Sequence, residues 1–133
     1  MVAKYPHMKA DEQAIWERFL VQLPWRAERI AYDVRLGDGV ELPPETQEWV
    51  RKMAWSLSTK RVDAMVETRS EFVIIEVKGR AGLGAVGQLL GYLHLFVKQY
   101  RPQKRVKLAL VCTELAPDLA TVLVEYGIET YLV

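Results

Sequence analysis

A glutamate and a lysine two residues apart mark the place in this chain where chemistry is most readily expected. Glu76-Val77-Lys78 follows the apolar run Phe72 to Ile75, which is typical of a buried strand. The glycines of the next stretch, Gly79-Arg80-Ala81-Gly82, predict a turn into the following helix. Side chains alternate along a strand, so Glu76 and Lys78 share one face while Val77 points to the other. Because a buried charge must be paired or bound to something, the motif predicts a functional use for both charges.

A second carboxylate precedes this motif in the neighbouring predicted strand, Lys60 to Glu67. The alternation places Val62, Ala64 and Val66 on one face and Arg61, Asp63 and Met65 on the other. The sequence is compatible with a symmetric hairpin loop of two residues (Arg69-Ser70) or of four (Thr68 to Glu71). With either loop Asp63 falls directly opposite Glu76, with Cβ atoms within about 5.5 Å. A loop of odd length, or a bulge, would shift that register.

The predicted pairing of Asp63 with Glu76 needs positive charge nearby, because two carboxylates this close repel each other. Mg²⁺ fits, since it takes oxygen ligands and is usually held by one or two carboxylates with waters and substrate phosphate. Lys78 could then stabilise negative charge on phosphate or help to deprotonate a water. These groups suffice for phosphodiester hydrolysis. A solvated carboxylate–lysine pair at a strand end is the simpler interpretation.

Asp63 followed by Glu76-Val77-Lys78 resembles the signature of the PD-(D/E)xK nuclease superfamily. The resemblance implies that Asp63 and Glu76 bind a metal ion, Mg²⁺ or Mn²⁺. It implies further that the backbone carbonyl of Val77 joins the metal ligands and that Lys78 serves catalysis. Val62 stands where the name of the superfamily has a proline, at a position that varies widely in the superfamily.

The segment after the motif extends the resemblance. Gln88 and Tyr92 lie four residues apart in a predicted helix from Leu83 to Tyr100, hence on one face. Their Gln-x-x-x-Tyr spacing is similar to that of the RecB-like branch of the superfamily. The resemblance implies that both side chains contact the active site or DNA. A polar boundary pair on a core helix is the alternative.

The first predicted helix, Asp11 to Leu23, carries one more candidate metal ligand. Asp11 is expected to be its N-cap, and Glu12 lies beside its apolar face. The resemblance implies that a glutamate of the first helix can approach the metal. An acidic residue in a first turn is also favoured by the helix dipole alone, so both interpretations of Glu12 stay open.

The remaining patterns predict an α/β fold. Further strands are expected at Arg29 to Leu36, Val106 to Cys112 and Ile128 to Val133, and further helices after Pro43-Pro44 and at Pro117 to Tyr126. This order gives a mixed central sheet flanked by helices. It matches the restriction-endonuclease-like αβββαβ core that the resemblance implies. With 133 residues, the chain is expected to form a single domain over residues 1–133.

Three glycines interrupt the helix predicted from Leu83 to Tyr100. Gly84, Gly87 and Gly91 weaken its helix propensity. We therefore expect the backbone of this helix to pack closely on the sheet.

The net charge is only +1, so a generally basic surface is not the basis of DNA binding. Basic residues nevertheless gather around one helix-to-strand connection, at Lys98, Arg101, Lys104, Arg105 and Lys107, and near the motif, at Lys60, Arg61, Lys78 and Arg80. They could contact phosphates. For the first group, a solvated charged loop is the simpler interpretation.

Other classes of site are not favoured by the sequence. Cys112 is the only cysteine, and His7 and His94 are isolated, so no disulfide framework, zinc site or iron–sulfur cluster is expected. The segment from Met1 to Ala10 lacks the apolar run of a signal peptide, and no segment is typical of a membrane span. We expect an intracellular, cytoplasmic protein.

These observations favour a metal-dependent nuclease that hydrolyses DNA, as an endonuclease whose substrate could be structure-specific. A non-catalytic nucleic-acid-binding or assembly module with the same fold is the alternative, and a small α/β protein with a chance motif is a third. Four tryptophans in 133 residues, with Trp49 and Trp55 in the helix after Pro43-Pro44, leave apolar surface for an interface. We expect a homodimer through Pro43 to Leu57, or otherwise a partner protein that supplies substrate recognition.

Overall fold

A computed structural model describes residues 5, 8–37, 39, 41–58 and 60–133, with the side chains of all of these except 56–58. The helices of this part of the chain are α1 (Ala10–Val21), α2 (Glu48–Ser58), α3 (Leu83–Tyr100) and α4 (Leu119–Glu125). The strands are β1 (Arg29–Leu36), β2 (Lys60–Glu67), β3 (Glu71–Ala81), β4 (Arg105–Leu115) and β5 (Glu129–Leu132). Within the same residues, no helix combines the length and the apolar character that a bilayer crossing needs.

The five strands form one mixed sheet in the order β1-β2-β3-β4-β5. The β1/β2 and β2/β3 pairs are antiparallel, whereas β4 runs parallel to both β3 and β5. One hydrophobic cluster joins α1 to the sheet through Trp16 and Ile75, and another joins α3 through Leu89 and Ile74. The predicted α/β fold class is confirmed, and the αβββαβ order is present as α1, β1, β2, β3, α3 and β4.

Two helix details differ from the sequence prediction. The N-cap of α1 is Lys9, not Asp11, because Glu12 occupies the third helical position and its carboxylate accepts the Lys9 N–H at 3.1 Å. The glycines of α3 do not pack on the sheet. Gly84, Gly87 and Gly91 lie on its exposed side, where an added Cβ would meet nothing within 4 Å.

β3 is longer than the sequence indicated. The stretch Gly79-Arg80-Ala81, predicted as a turn into the helix, continues the strand because Arg80 and Ala81 pair with Glu114 and Leu115 of β4. Only Gly82 separates β3 from α3. The strand therefore carries Glu76 and Lys78 in its interior, and not at its end.

The alternation of β1 and β2 is broken where Asp33 and Asp63 face each other. The paired residues pass from Tyr32↔Ala64 to Val34↔Val62, and Asp33 has a left-handed backbone, with φ 53°. Beyond the break, Val62 belongs to the cluster that contains α3, whereas Ala64 belongs to the cluster that contains α1. The predicted common face of Val62, Ala64 and Val66 is therefore wrong.

The conformation of Asp33 is held by an ion pair. The Nε and Nη2 atoms of Arg61 donate to the two carboxylate oxygens of Asp33, with both side chains partly buried. Aspartate tolerates the left-handed region better than most residues. At this break the distal part of β1 turns towards α3, and the Gly37 N–H donates to the Gln99 side chain at 3.1 Å.

We expect the left-handed backbone at Asp33 to be measurable in stability. Asp33→Ala should lower the free energy of unfolding by about 1–2 kcal/mol, because alanine is more strained than aspartate in a left-handed backbone and cannot form the ion pair. Asp33→Asn loses only the ion pair and should cost at least about 1 kcal/mol less than alanine. Urea unfolding of the two variants, with Arg61→Ala as a measure of the pair alone, makes the comparison. Equal losses for alanine and asparagine would contradict a backbone role.

Candidate active site

The register between β2 and β3 is the one predicted for a symmetric four-residue loop. The pairs run from Glu67↔Phe72 to Ala64↔Ile75, and the Thr68 N–H donates to the Glu71 carbonyl at 2.9 Å across the loop. Continued by one residue, this register places Asp63 opposite Glu76. The sequence therefore predicted correctly which two carboxyl groups meet.

At Asp63 a side-chain acceptor replaces the backbone acceptors of the β2/β3 ladder. The pairing of β2 with β3 ends at Ala64, and the next N–H of β3 that faces β2, that of Val77, donates to Asp63 Oδ2 at 2.9 Å. Asp63 is 5% exposed. The N–H and C=O of one strand residue point to the same neighbouring strand, so the Val77 carbonyl also faces the Asp63 side of β3.

Glu76 is the most deeply buried charged residue in the described part of the chain, at 2% exposure. Burial, a hydrogen bond with Asp63 and the charge of Asp63 together raise the pKa of its carboxyl to about 9. The charge of Lys78 acts in the opposite direction and lowers the pKa of Glu76. Asp63 and Glu76 thus form a buried carboxyl pair whose repulsion Lys78 offsets only in part.

Tyr92 reaches this pair from α3. Its hydroxyl donates to Glu76 Oε2 at 3.4 Å, and the residue is buried. Burial, followed by the charges of Glu76 and Asp63, raises the pKa of the Tyr92 hydroxyl. The hydroxyl therefore stays protonated and acts as a donor to Glu76. Gln88, one helical turn earlier, is exposed.

Lys78 and Glu12 act on the pair through their charges. Lys78 is half-buried on the same face of β3 as Glu76. Glu12 is half-buried at the start of α1, and its charge raises the pKa of Glu76. Its Oε1 atom is engaged by the Lys9 N–H. The start of α1 nevertheless lies close to β3, since a Cβ added at Gly79 would be 3.1 Å from Asp11 Oδ2.

The donor set suits a hard divalent cation. Asp63 and Glu76 supply adjacent buried carboxyl oxygens, and the Val77 carbonyl faces the same side, which are the oxygen ligands that Mg²⁺ prefers. Among the described residues, no three histidine, cysteine, aspartate or glutamate side chains converge in a metal-binding arrangement. A cation here would thus have two carboxylates, with Glu12 contributing charge from α1.

The ion pair of Asp33 and Arg61 beside the site was not predicted from the sequence. Asp33 faces Asp63 across the β1/β2 ladder and binds Arg61, two residues before Asp63. Only its residue type gave a signal, because aspartate is one of the few residues that tolerate a left-handed backbone. The alternating pattern of the predicted strand hid that signal.

Residues 50–133 match the family model of the endonuclease NucS C-terminal domain. The fold is similar to that of a repair endonuclease from Pyrococcus abyssi, with a TM-score of 0.58 and 21% identity, over 99% of this chain and 49% of that one. It is also similar to EndoMS in a complex with dsDNA, with a TM-score of 0.53 and 18% identity, over 99% of this chain and 48% of that one. The chain spans about half the length of these structures. No curated protein matches it.

The raised pKa of Glu76 predicts how stability depends on pH without metal. Because the folded pKa of about 9 lies above the ordinary 4.5, the folded state holds the proton more tightly, and stability falls as pH rises through this window. The loss should reach about 3 kcal/mol at pH 7. Glu76→Gln should remove it and flatten the profile in urea unfolding with a chelator present.

The exposed Glu114 provides the matched control for this measurement. Glu114→Gln should keep the parent dependence between about pH 5 and about pH 9. A Glu76→Gln profile as steep as that of the parent would show that Glu76 is ionised in the folded protein.

Proposed function

The chain belongs to the endonuclease NucS C-terminal domain family, and on this premise we propose that it is a Mg²⁺- or Mn²⁺-dependent nuclease that hydrolyses DNA phosphodiester bonds. The observation that carries the proposal is the buried pair of Asp63 and Glu76 beside Lys78. Two adjacent carboxyl groups with so little exposure are costly unless they bind something. DNA as the substrate is supported by the repair endonuclease and the EndoMS–dsDNA complex, which share the fold.

Asp63 and Glu76 would hold the metal ion, with the Val77 carbonyl as a further ligand. When bound, such an ion supplies a Lewis acid for the phosphate and an activated water. The hydrogen bond from Val77 N–H fixes the Asp63 carboxylate, and the Tyr92 hydroxyl orients Glu76. Both carboxylates are therefore held in position before a substrate arrives.

Lys78 would act on the substrate. Its side chain leaves β3 on the face of Glu76 and its charge acts on Glu76, so its ammonium group would stabilise negative charge that develops on the phosphate. Gln88, exposed one turn before Tyr92, would contact a substrate that lies over the site. With Tyr92 it forms the Gln-x-x-x-Tyr arrangement of the RecB-like branch, to which we assign the chain. A non-catalytic module would have no use for this combination of buried acids and a nearby lysine.

Cleavage by a lysine variant tests the function. We expect Lys78→Ala to lower single-turnover cleavage by about 10²-fold or more, because it removes charge stabilisation of the transition state. Labelled junction, flap, duplex and single-stranded DNA with Mn²⁺ form the substrate panel. Lys98→Ala, an exposed lysine on α3, is the matched control and should cleave like the parent. Absence of cleavage by the parent on every substrate would favour the non-catalytic alternative.

Calorimetry with Mn²⁺ on the same proteins separates metal binding by Asp63 and Glu76 from the catalytic role of Lys78. Asp63→Ala and Glu76→Ala should lose the binding heat, whereas Lys78→Ala should retain it, since an ammonium group is not a ligand. Glu114→Ala controls for loss of a carboxylate elsewhere. Equal heats for all five proteins would remove the metal from the proposal.

We also propose a homodimer through Pro43 to Leu57. Helix α2 leaves large apolar side chains in solvent, with Trp49 64% and Met53 47% exposed one turn apart. Light scattering at micromolar concentration should give twice the mass of 15.3 kDa, and Trp49→Ser should give a monomer. Val21→Ser, an exposed apolar residue of α1, should leave the dimer intact. A monomeric parent, with or without DNA, would point to a partner protein instead.

A further inference from the structure

A cleft of about 690 Å³ opens between the C-terminal half of α3 and the β1/β2 part of the sheet. Phe72 and Met65 contribute to its floor, and Phe96 and Tyr100 line its α3 side. Phe72 and Glu76 are four residues apart in β3 and therefore share a face, about 13 Å apart along the strand. The cleft and the candidate active site thus lie on the same side of the sheet.

A row of aromatic rings, in edge-on and tilted contact, supports the exposed ring of Tyr100 in the cleft. Phe72 and Phe96 have ring centroids 5.4 Å apart, and Phe96 and Tyr100 have centroids 5.1 Å apart. Phe96 is 4% exposed, whereas Tyr100 is 53% exposed. The inner rings therefore fix the position of Tyr100 and leave half of its surface in solvent, so that a second ring could stack on it without first ordering the tyrosine.

The rim of the cleft is basic. The charged residues that line it are Arg29, Arg101, Lys104 and one carboxylate, Glu67, so the three cations and one anion give a charge of +2. Lys104 is paired with Glu67 at 2.7 Å and lies 5.3 Å from the Phe72 ring centroid. Arg29 Nε is 3.8 Å from Glu67, and Arg101 is exposed at the end of α3. The two arginines can thus contact anions.

The basic cluster seen in the sequence divides accordingly. Lys107 is engaged by Glu71 at 3.3 Å and by Glu129 at 3.0 Å. Together with Lys104 it stabilises the fold, so the solvated-loop interpretation does not describe these two residues. Arg101 lies on the cleft, whereas Arg105 is exposed and outside it.

We propose that this cleft binds an unpaired nucleotide of a DNA strand, with its base stacked on Tyr100 and its phosphate beside Arg29 and Arg101. Aromatic platforms edged by cations are the means by which proteins bind single-stranded nucleic acid. Bases inside a duplex offer no free face for such stacking, so the cleft selects unpaired nucleotides. The choice of DNA as the ligand rests on the proposed nuclease function.

Fluorescence anisotropy with a labelled oligothymidine and a labelled blunt duplex, without divalent metal, tests the cleft. Tyr100→Ala should weaken oligothymidine binding by about tenfold and leave duplex binding unchanged, while Tyr100→Phe should bind like the parent. Tyr126→Ala is the matched control, because Tyr126 is 55% exposed and lies outside the cleft. Arg101→Gln should reduce the dependence of log Kd on log salt by about one, unlike Arg105→Gln.

The outcomes separate the cleft from the nuclease proposal. Equal oligothymidine affinity for Tyr100→Ala and the parent would overturn the cleft proposal. It would also be overturned if Tyr126→Ala lost as much oligothymidine affinity as Tyr100→Ala, or if Tyr100→Ala lost as much affinity for the duplex. The nuclease proposal would still stand in these cases if the parent cleaves duplex DNA. Conversely, suppose that the parent cleaves no DNA while Tyr100→Ala still binds oligothymidine about tenfold more weakly than the parent. That result would support the cleft proposal and overturn the nuclease proposal. Binding of no oligonucleotide by the parent would overturn the cleft outright.

Discussion

The hydrogen bond from the Val77 N–H to Asp63 is the interaction on which the rest of the site depends. The β2/β3 ladder ends at Ala64, and a buried N–H left without an acceptor costs about 1–3 kcal/mol. Satisfying that group with a side chain fixes the Asp63 carboxylate in the sheet, next to Glu76. The position of the acidic pair therefore follows from the hydrogen-bonding requirement of the backbone.

The same break shapes the neighbouring surface. Asp33, opposite Asp63, adopts a left-handed backbone, and beyond it Val62 and Leu36 are buried in the cluster that contains α3. Val34, on the same side of the break, lines the cleft beside Tyr100. The irregular backbone at Asp33 in the β1/β2 pair thus lies beside the point where β2 and β3 separate at the site, and it precedes the part of β1 that lines the cleft.

The sequence predicted the parts of the site that depend on local geometry. A symmetric loop and the period of a strand were enough to bring Asp63 opposite Glu76, and helical spacing was enough to place Tyr92 one turn beyond Gln88. Asp33 was missed because its backbone is set by its partners in the sheet. The continuation of β3 through Ala81 depends on β4, more than twenty residues further along the chain, and no local pattern reports it. The exposure of Gly91 likewise depends on which side of α3 meets the sheet.

Burial is what distinguishes function from stability at this site. The residues around Glu76 in β3 are Ile74, Ile75 and Val77, each 0% exposed, so an apolar side chain at position 76 would fit the core at no electrostatic cost. In the described part of the chain the only buried carboxyl groups are Asp63 and Glu76, and they are adjacent. Asp63 also satisfies the Val77 N–H, but replacing a buried charged group by an apolar residue is often neutral or stabilising, so stability alone gives no reason to keep Glu76 beside it. A cation bound between them would remove the repulsion and offset the cost of burial, and for this reason the buried acidic pair is the main argument for the proposed metal site.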